Sequence, residues 1–402
     1  MSLPHRPAGG GGIIPFAAVN HRSRRGMRFG VSMRDLMRHM WLIGQTGTGK
    51  STLIETLFLG LATGGMGAGL IDPHGDLAAR LPSRIPRARL RDLVHFDPAG
   101  PGPKPSLNLV GYAPAAQRPR LASATLSVLR KTFADGWGPR TEHVLRNSIL
   151  TLLDVPRSTL AGVVRLLTEE RFREMALRHV ADPLVRHFWE QEFAQMPPTF
   201  RAEVVAPALN KLGALLANPV IRAHIDQPRR ALDLRAVMDD GRLFVANLSK
   251  GHIGEDASAF LGAVLVACFQ LATYTRADVE PARRVPFVLA IDEFPTFATP
   301  SFAELLAEAR KYGLGLVLAN QHLEQLDDRL RAALLGNAGT LVIFRVSADD
   351  AHVLAPEFEP ELDAGDLSRL GRHEIALKLS IDGVTSKPFT ASTRVSIPSG
   401  VE

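Results

Sequence analysis

A glycine-rich segment after an apolar run constrains the fold of this 402-residue chain more than any other feature. Gly44–Ser51 reads GQTGTGKS and matches the phosphate-binding loop (Walker A) pattern in full. It follows the strand-like Met40–Ile43 and opens a helical run, Thr52–Leu61, which is the context that this motif requires. The glycines let successive backbone N–H groups face phosphates at a helix N-terminus. The motif predicts these nucleotide-binding residues: Gly44, Gln45, Thr46, Gly47, Thr48, Gly49, Lys50, Ser51 and Thr52.

Two acidic residues end a second apolar run and have the form of a Walker B motif. Phe287–Ile291 is followed directly by Asp292 and Glu293. Carboxylates at the carboxyl end of a strand can reach a metal and a water beside a phosphate loop. We therefore predict that Asp292 and the Ser51 hydroxyl bind Mg²⁺, and that Glu293 polarises the attacking water. An acidic cap on a following helix is the alternative, which the full phosphate loop in the same chain disfavours. The adjacent Glu293 favours hydrolysis over nucleotide binding alone.

Lys50 of the phosphate loop and Gln321 have specific predicted roles at the γ-phosphate. Lys50 is expected to reach the β- and γ-phosphates of ATP. Gln321 follows the apolar run Leu314–Ala319 and Asn320, where a polar side chain can touch both the γ-phosphate and the attacking water. We predict that Gln321 is a catalytic sensor; ordinary turn chemistry after a strand is the alternative.

Two other motifs are less specific. The segment 72–76, DPHGD, contains His74 between aspartates, and a turn is favoured over a metal site because the spacing matches no familiar ligand pattern. Trp137 lies near Arg140 and could stack on a base, although packing at a helix start is favoured.

Short apolar runs alternate with helical patterns over much of the chain, which predicts an α/β fold with a mainly parallel sheet covered on both faces. The predicted strands are His39–Ile43, Gly67–Ile71, Leu93–Phe96, Leu243–Leu248, Phe287–Ile291, Leu314–Ala319 and Thr340–Val346, with Glu374–Leu379 as an edge strand.

The alternation stops in the middle of the chain, where amphipathic helical patterns punctuated by prolines predict an inserted all-α domain. The predicted divisions are a flexible N-terminal arm at 1–26, the first part of the NTPase domain at 27–111, the all-α domain at 112–234, the second part of the NTPase domain at 235–390 and a C-terminal tail at 391–402.

Charge, cysteine content and hydropathy indicate which partners and which compartment suit this chain. Residues 1–41 contain seven basic residues and one acidic residue, and residues 112–235 contain eighteen basic and twelve acidic residues. This excess of positive charge favours binding to a polyanion such as DNA. The alternative is a coding bias towards arginine, which would produce the same excess. The single cysteine, Cys268, fits a reducing cytosol. Ala257–Thr275 is uncharged and near the ~20 residues of a membrane span, but its polar residues and flanking strands favour a buried helix. We predict a cytoplasmic chain without an intrinsic transmembrane segment.

Several motifs in order along residues 27–385 resemble the conjugative coupling-protein ATPases of type IV secretion, the TraG/TraD-like group. They are the phosphate loop, IDPHGDL, the helical insertion, FVLAIDEF, EARKYGLGLVLANQ and LVIFRVSADDA. This group belongs to the HerA–FtsK superfamily of RecA-like motors. The resemblance implies a homohexameric ring that uses ATP and Mg²⁺ to move DNA, largely without sequence preference. Its cargo is often DNA joined to a relaxase, and its destination is a secretion channel, which would bring the chain to the inner membrane through partners.

The resemblance also implies one catalytic residue. Arg310 matches a position taken as an arginine finger that reaches the ATP of the neighbouring subunit; an exposed helical arginine is the alternative. Arg345 is the reserve candidate, and Lys250 is a candidate for facing DNA. Two other functions stay open: a HerA-like motor that works with a nuclease in repair or phage defence, and a nucleotide-gated adaptor that recruits a relaxase without pumping.

Overall fold

The structure is a computed structural model that describes residues 12–20, 24–102, 104–111, 113–228 and 232–393. Strands and helices alternate outside the middle third of the chain. The strands are β1 (Ile14–Val19), β2 (Arg28–Val31), β3 (Met40–Ile43), β4 (Gly67–Asp72), β5 (Leu93–Phe96), β6 (Leu243–Asn247), β7 (Phe287–Ile291), β8 (Leu314–Asn320), β9 (Thr340–Ile343), β10 (Glu374–Lys378), β11 (Ser380–Ile381), β12 (Val384–Thr385) and β13 (Phe389–Ser392).

Eleven strands form one sheet in the order β2-β1-β13-β10-β9-β3-β8-β7-β4-β6-β5. The strands from β9 to β5 are parallel, whereas β10, β13, β1 and β2 continue the sheet in antiparallel pairs. Every residue of β3, β7 and β8 is buried, as expected for strands covered on both faces. The predicted α/β fold with a mainly parallel sheet is confirmed.

Successive residues of the central strands belong to different cores. Trp41 and Ile43 lie in one hydrophobic cluster, and Met40 and Leu42 lie in the other. This division follows from the two-residue period of a strand, which sends neighbouring side chains to opposite faces.

The helices cover both faces of the sheet and make up the middle of the chain. They are α1 (Met33–Leu36), α2 (Lys50–Thr63), α3 (Asp76–Arg84), α4 (Arg118–Thr132), α5 (Pro139–Asp154), α6 (Ala161–Thr168), α7 (Glu170–Leu177), α8 (Pro183–His187), α9 (Pro198–Ala217), α10 (Pro219–Ile225), α11 (Leu234–Asp239), α12 (Lys250–Ile253), α13 (Glu255–Thr275), α14 (Phe302–Glu308), α15 (Asp328–Asn337), α16 (Ala348–Leu354) and α17 (Ala364–Ser368).

The described elements between β5 and β6 are all helical, and three of them, α4, α10 and α11, pack against α13. The domain boundaries at 112 and 234 remain a proposal, because the helices of this segment share one continuous hydrophobic cluster with a face of the sheet.

The apolar helix α13 lies inside the protein. Among the described residues, one unbroken helical segment, Glu255–Asp278, has the length and composition of a membrane span, with a mean hydropathy of 1.7. The sequence 198–225 passes the same test only as a pair of helices bent by 99°. In the single segment, 78% of the most apolar window is buried, which agrees with the predicted buried helix.

Three expectations need correction. The prediction of a flexible arm at 1–26 is wrong for Ile14–Val19. This segment forms β1, which pairs with β2 and β13, and its Ile14 and Phe16 side chains are buried in the core. The rest of the arm up to residue 11, and 21–23, lie outside the described residues. Glu374–Lys378 is not an edge strand, since β13 pairs along its other side. The predicted tail at 391–402 begins within β13, and its residues from 394 lie outside the described part.

Candidate active site

The phosphate loop joins the carboxyl end of β3 to the first turn of α2. Gly47 and Gly49 have φ of 76° and 125°, a backbone region that favours glycine. A Cβ on Gly49 would also lie 2.7 Å from Nδ1 of His373, so only glycine fits there. The loop thus presents its backbone N–H groups and the N-terminus of α2 as a site for phosphates.

Lys50 is buried at the base of this loop, with 6% of its surface exposed. Its Nζ donates to the carbonyl oxygens of Gly44 at 2.5 Å and Gln45 at 3.2 Å. Burial lowers the pKa of Lys50, and the carboxylates of Glu293 and Asp292 oppose that shift. A cation placed beside the loop in this way suits a bound polyphosphate.

Asp292 lies at the end of β7, and its Oδ2 accepts a hydrogen bond from Ser51 Oγ at 3.0 Å. Burial raises the pKa of Asp292 to about 6, the carboxylates of Asp72 and Glu293 add to the rise, and Ser51 and Lys50 oppose it. A divalent cation would relieve this crowding of acidic groups. The hydroxyl of Ser51 and the carboxylate of Asp292 are the hard oxygen ligands that Mg²⁺ prefers, so the residues present fit the ion.

Glu293 adopts a left-handed backbone conformation, with φ 48° and ψ 46°. Its N–H donates to Asp292 Oδ1 at 3.1 Å. Its Oε1 accepts from Gln321 Nε2 at 2.8 Å, and Gln321 Oε1 accepts from Thr46 Oγ1 at 2.8 Å. The structure therefore brings three sequence-predicted residues into one hydrogen-bonded path from the phosphate loop to the carboxylate.

The sequence analysis missed two residues of this site. Gln325 Nε2 lies 3.5 Å from Glu293 Oε2, a contact that no motif signalled. Asp72 is 1% exposed, and its carboxylate accepts from the N–H groups of His74, Leu77 and Ala78, each at 2.9 Å. It thereby orders the turn into α3, in agreement with the turn that the sequence favoured for segment 72–76.

The contacts of His74, Trp137 and Lys250 in the described part of the chain are with residues other than the phosphate loop, Asp292 and Glu293. His74 lies in the turn that Asp72 closes, and the described residues contain no group of three His, Cys, Asp or Glu able to hold a metal. Trp137 Nε1 donates to Glu142 Oε2 at 3.0 Å near the start of α5. Lys250 pairs with Glu255 at 3.3 Å, and its proposed contact with DNA stays a prediction.

Arg310 and Arg345 lie at opposite edges of the parallel sheet. Arg310 precedes β8, whose carboxyl end pairs with that of β3 next to the phosphate loop, so the length of a strand, roughly 20 Å, separates Arg310 from its own loop. Arg345 follows β9 on the loop side, and its Nε donates to Gln45 Oε1 at 3.3 Å. Arg310 therefore lies too far from its own phosphate loop to contact it, whereas Arg345 does contact that loop.

The sheet topology and the arrangement of loop, carboxylates and sensor place this chain in a class, the RecA-like P-loop NTPases. A family model of the type IV secretion-system coupling protein DNA-binding domain matches residues 29–358, which is most of the chain. The protein belongs to this coupling-protein family, within the HerA–FtsK type of motors. Membership favours a conjugative coupling-protein NTPase motor over the nuclease-partnered motor and the passive adaptor. No curated protein matches the sequence.

Solved structures share the fold at low sequence identity. The plasmid coupling protein TrwB in complex with ADP and Mg²⁺ is 17% identical with a TM-score of 0.66, over 92% of this chain and 87% of that one. TrwB in complex with the non-hydrolysable GTP analogue GDPNP is 16% identical with a TM-score of 0.65, over 92% and 88%. VirB4 of Thermoanaerobacter pseudethanolicus is 14% identical with a TM-score of 0.63, over 97% and 98%.

Proposed function

We propose that this coupling protein hydrolyses ATP with Mg²⁺ and couples hydrolysis to the movement of DNA. The observation that carries the proposal is the path from Thr46 through Gln321 to Glu293 beside a buried Lys50. A protein that only binds nucleotide has no need of a carboxylate linked to the phosphate loop in this way. The TrwB complexes with nucleotides and Mg²⁺ support the choice of ligands.

Each residue has a separate task in hydrolysis. Lys50 and the loop N–H groups bind the β- and γ-phosphates, and Gln321 orients the attacking water against the γ-phosphate. Glu293 accepts a proton from that water as the water oxygen bonds to the γ-phosphorus. At the same time, the bond from this phosphorus to the β–γ bridging oxygen breaks, and ADP leaves. Ser51 and Asp292 would hold Mg²⁺, which would neutralise charge on the phosphates.

We further propose that the active assembly is a homohexameric ring in which Arg310 completes the neighbour's site. The position of Arg310 at the amino edge supports this, because it cannot reach its own phosphate loop. A ring also provides a channel for DNA, or for DNA joined to a relaxase, on the way to a type IV secretion channel. Location in the cytoplasm, at the inner membrane only through partners, is part of this proposal.

Hydrolysis is tested with Glu293→Gln, which keeps the size and the hydrogen-bonding reach of the side chain but removes the base. We expect the variant to bind ATP normally and to turn over about 1,000-fold more slowly than wild type. Glu324→Gln is the matched control, because it removes an exposed carboxylate nearby. Full turnover by Glu293→Gln would refute the assignment of the base.

DNA binding is tested by its dependence on salt. If about three phosphates are contacted, affinity for an unspecific duplex falls roughly 40-fold between 50 and 200 mM salt because counterions are released. Affinity that does not change with salt, or that requires one short sequence, argues against binding dominated by phosphate contacts. Movement along DNA is then measured as ATP-dependent displacement of a third strand from a triplex.

A further inference from the structure

Gln325 makes two kinds of contact from the turn that follows β8. Its Oε1 accepts hydrogen bonds from the backbone N–H groups of Gln321 at 3.0 Å and His322 at 3.1 Å. Its Nε2 points to Glu293 Oε2 at 3.5 Å, while Gln321 Nε2 donates to the other carboxylate oxygen at 2.8 Å. The Glu293 carboxylate therefore faces two amide groups from one turn, one on each oxygen.

We propose that Gln325 is a positioning residue of the hydrolytic site, which keeps the Glu293 carboxylate aimed at the attacking water. The inference rests on the proposed function, since it assigns a role toward the base of that same reaction. Among the described residues, Gln325 makes no hydrogen bond to the phosphate loop, and it acts through Glu293 and through the turn that carries Gln321.

The need for a second donor follows from the two duties of Gln321. The sensor role requires its amide to serve the γ-phosphate and the water, and the same amide holds one oxygen of Glu293. A carboxylate with a single partner can rotate about its last bond, whereas partners on both oxygens define its plane. Glu293 is 7% exposed, so solvent offers few replacement donors.

The turn itself is held independently of the Gln325 side chain. Trp41 Nε1 donates to Asn320 Oδ1 at 2.7 Å inside the core, and Asn320 Nδ2 donates to the carbonyl oxygen of His322 at 2.9 Å. The N–H of Leu323 donates to Asp350 Oδ1 at 3.2 Å. Gln325 is exposed, so we expect its substitution to leave the fold and the turn in place.

The two contacts of Gln325 can be separated by one substitution. Gln325→Glu keeps an oxygen that accepts from the two backbone N–H groups, but replaces the donor to Glu293 with a second negative oxygen. Gln325→Ala removes both contacts. A role limited to closing the turn predicts that only Gln325→Ala has an effect, whereas positioning of Glu293 predicts that both variants do.

The experiment measures ATP turnover and ATP affinity of the full chain with Mg²⁺. We expect kcat to fall about tenfold in Gln325→Ala and at least as much in Gln325→Glu, with the Kd for ATP within twofold of wild type. Glu324→Ala, at the exposed neighbouring position, is the control and keeps full turnover. Unchanged kcat in Gln325→Glu would overturn the inference, because the donor would then be dispensable.

A double-mutant cycle with Glu293→Gln distinguishes positioning from a general effect on structure. If Gln325 acts through the carboxylate, Gln325→Ala slows wild type but does not further slow Glu293→Gln. An equal loss in both backgrounds would overturn the inference. Wild type without ATP turnover would instead refute the proposed function itself, so the two failures are distinguishable.

Discussion

The two edges of the parallel sheet differ in how their charged groups are satisfied. At the carboxyl edge, Lys50 is held by loop carbonyls and Asp292 by Ser51. At the amino edge, a cavity of about 410 Å³ is lined by Arg310 and Arg38 together with Lys378 and Glu357, which form an ion pair at 2.8 Å. The exposed guanidinium of Arg310 makes no hydrogen bond or ion pair within the described ranges of the chain.

This difference is consistent with the proposal that the carboxyl edge receives the nucleotide and that the amino edge acts on a second copy of the chain. The carboxyl edge has polar groups of both signs close together, and nucleotide with Mg²⁺ fits among them. In the proposed ring, the complement of Arg310 is the nucleotide of a neighbouring copy. Because parallel strands hold the two edges a strand length apart, a single subunit cannot bring them together.

The largest effect is expected at the carboxyl edge from Lys50→Ala. Loss of the buried cation removes charge-assisted hydrogen bonds to the phosphates, so ATP should bind about 100-fold more weakly and turnover should be lost. The control is Lys311→Ala, which removes an exposed lysine beside Arg310. Fluorescence titration with a labelled ATP analogue measures the affinity of each variant. A similar loss of affinity in Lys50→Ala and Lys311→Ala would contradict the difference between the two edges.

Arg310→Ala should leave the Kd for ATP unchanged while kcat falls about 1,000-fold, the range known for arginine fingers. In wild type, turnover per subunit should rise with protein concentration and with added DNA, because both favour the assembled ring. The variant should respond to neither. Normal turnover by Arg310→Ala would show that Arg310 at the amino edge has no role in catalysis.

Mixing two inactive variants sharpens this test. A Lys50→Ala subunit retains Arg310 and can complete the site of an Arg310→Ala neighbour whose phosphate loop is intact. Partial activity should therefore return in mixed rings, measured as ATP turnover against the mixing ratio. Absence of rescue, with mixed rings demonstrated by cross-linking, would show that Arg310 does not act between subunits.

His39, in the lining of the amino-edge cavity, makes stability depend on pH. Its Nδ1 accepts the N–H of Leu316 at 3.0 Å and its Nε2 donates to Leu306 O at 3.0 Å, so the ring is neutral. Burial lowers the pKa of His39 to about 4, the Leu306 carbonyl opposes the shift and Arg310 adds to it. The unfolded chain then binds a proton that the folded chain excludes, and stability falls as the pH drops from about 6.5 towards 4.

From pH 7 to pH 5 this loss amounts to about 2 kcal/mol of unfolding free energy. Urea denaturation at the two pH values measures it, with His39→Gln as the variant that cannot titrate. The difference between pH 7 and pH 5 should shrink by that amount in the variant. An identical pH dependence in both proteins would mean that His39 titrates normally.

The smallest effect is expected for Arg345→Ala. This arginine contacts Gln45 of its own phosphate loop, and a single exposed side-chain hydrogen bond contributes about 1 kcal/mol at most. We expect ATP affinity to weaken by up to about fivefold, without any response to mixing with Lys50→Ala. Rescue in such a mixture would transfer the intersubunit role from Arg310 to Arg345.

Much of the carboxyl edge could be predicted because each part is local in sequence. Gly44–Ser51 contains its own turn geometry, and Asp292 and Glu293 follow an apolar strand whose end marks their position. The antiparallel part of the sheet was harder to predict. β1 is a short run after a glycine-rich stretch, and its partner β13 lies at the other end of the chain, so neither strand has a local signal of pairing.

The sequence by itself determined the nucleotide-binding chemistry, the parallel sheet and the family, because motif spacing and apolar periodicity express them along the chain. Only the tertiary structure decided that Gln325 reaches the same carboxylate as Gln321, and that Arg310 lies an entire strand length from its own phosphate loop. Both facts depend on how distant strands are ordered and aligned in the sheet. That order is set by long-range packing, which leaves no trace in the residues nearby.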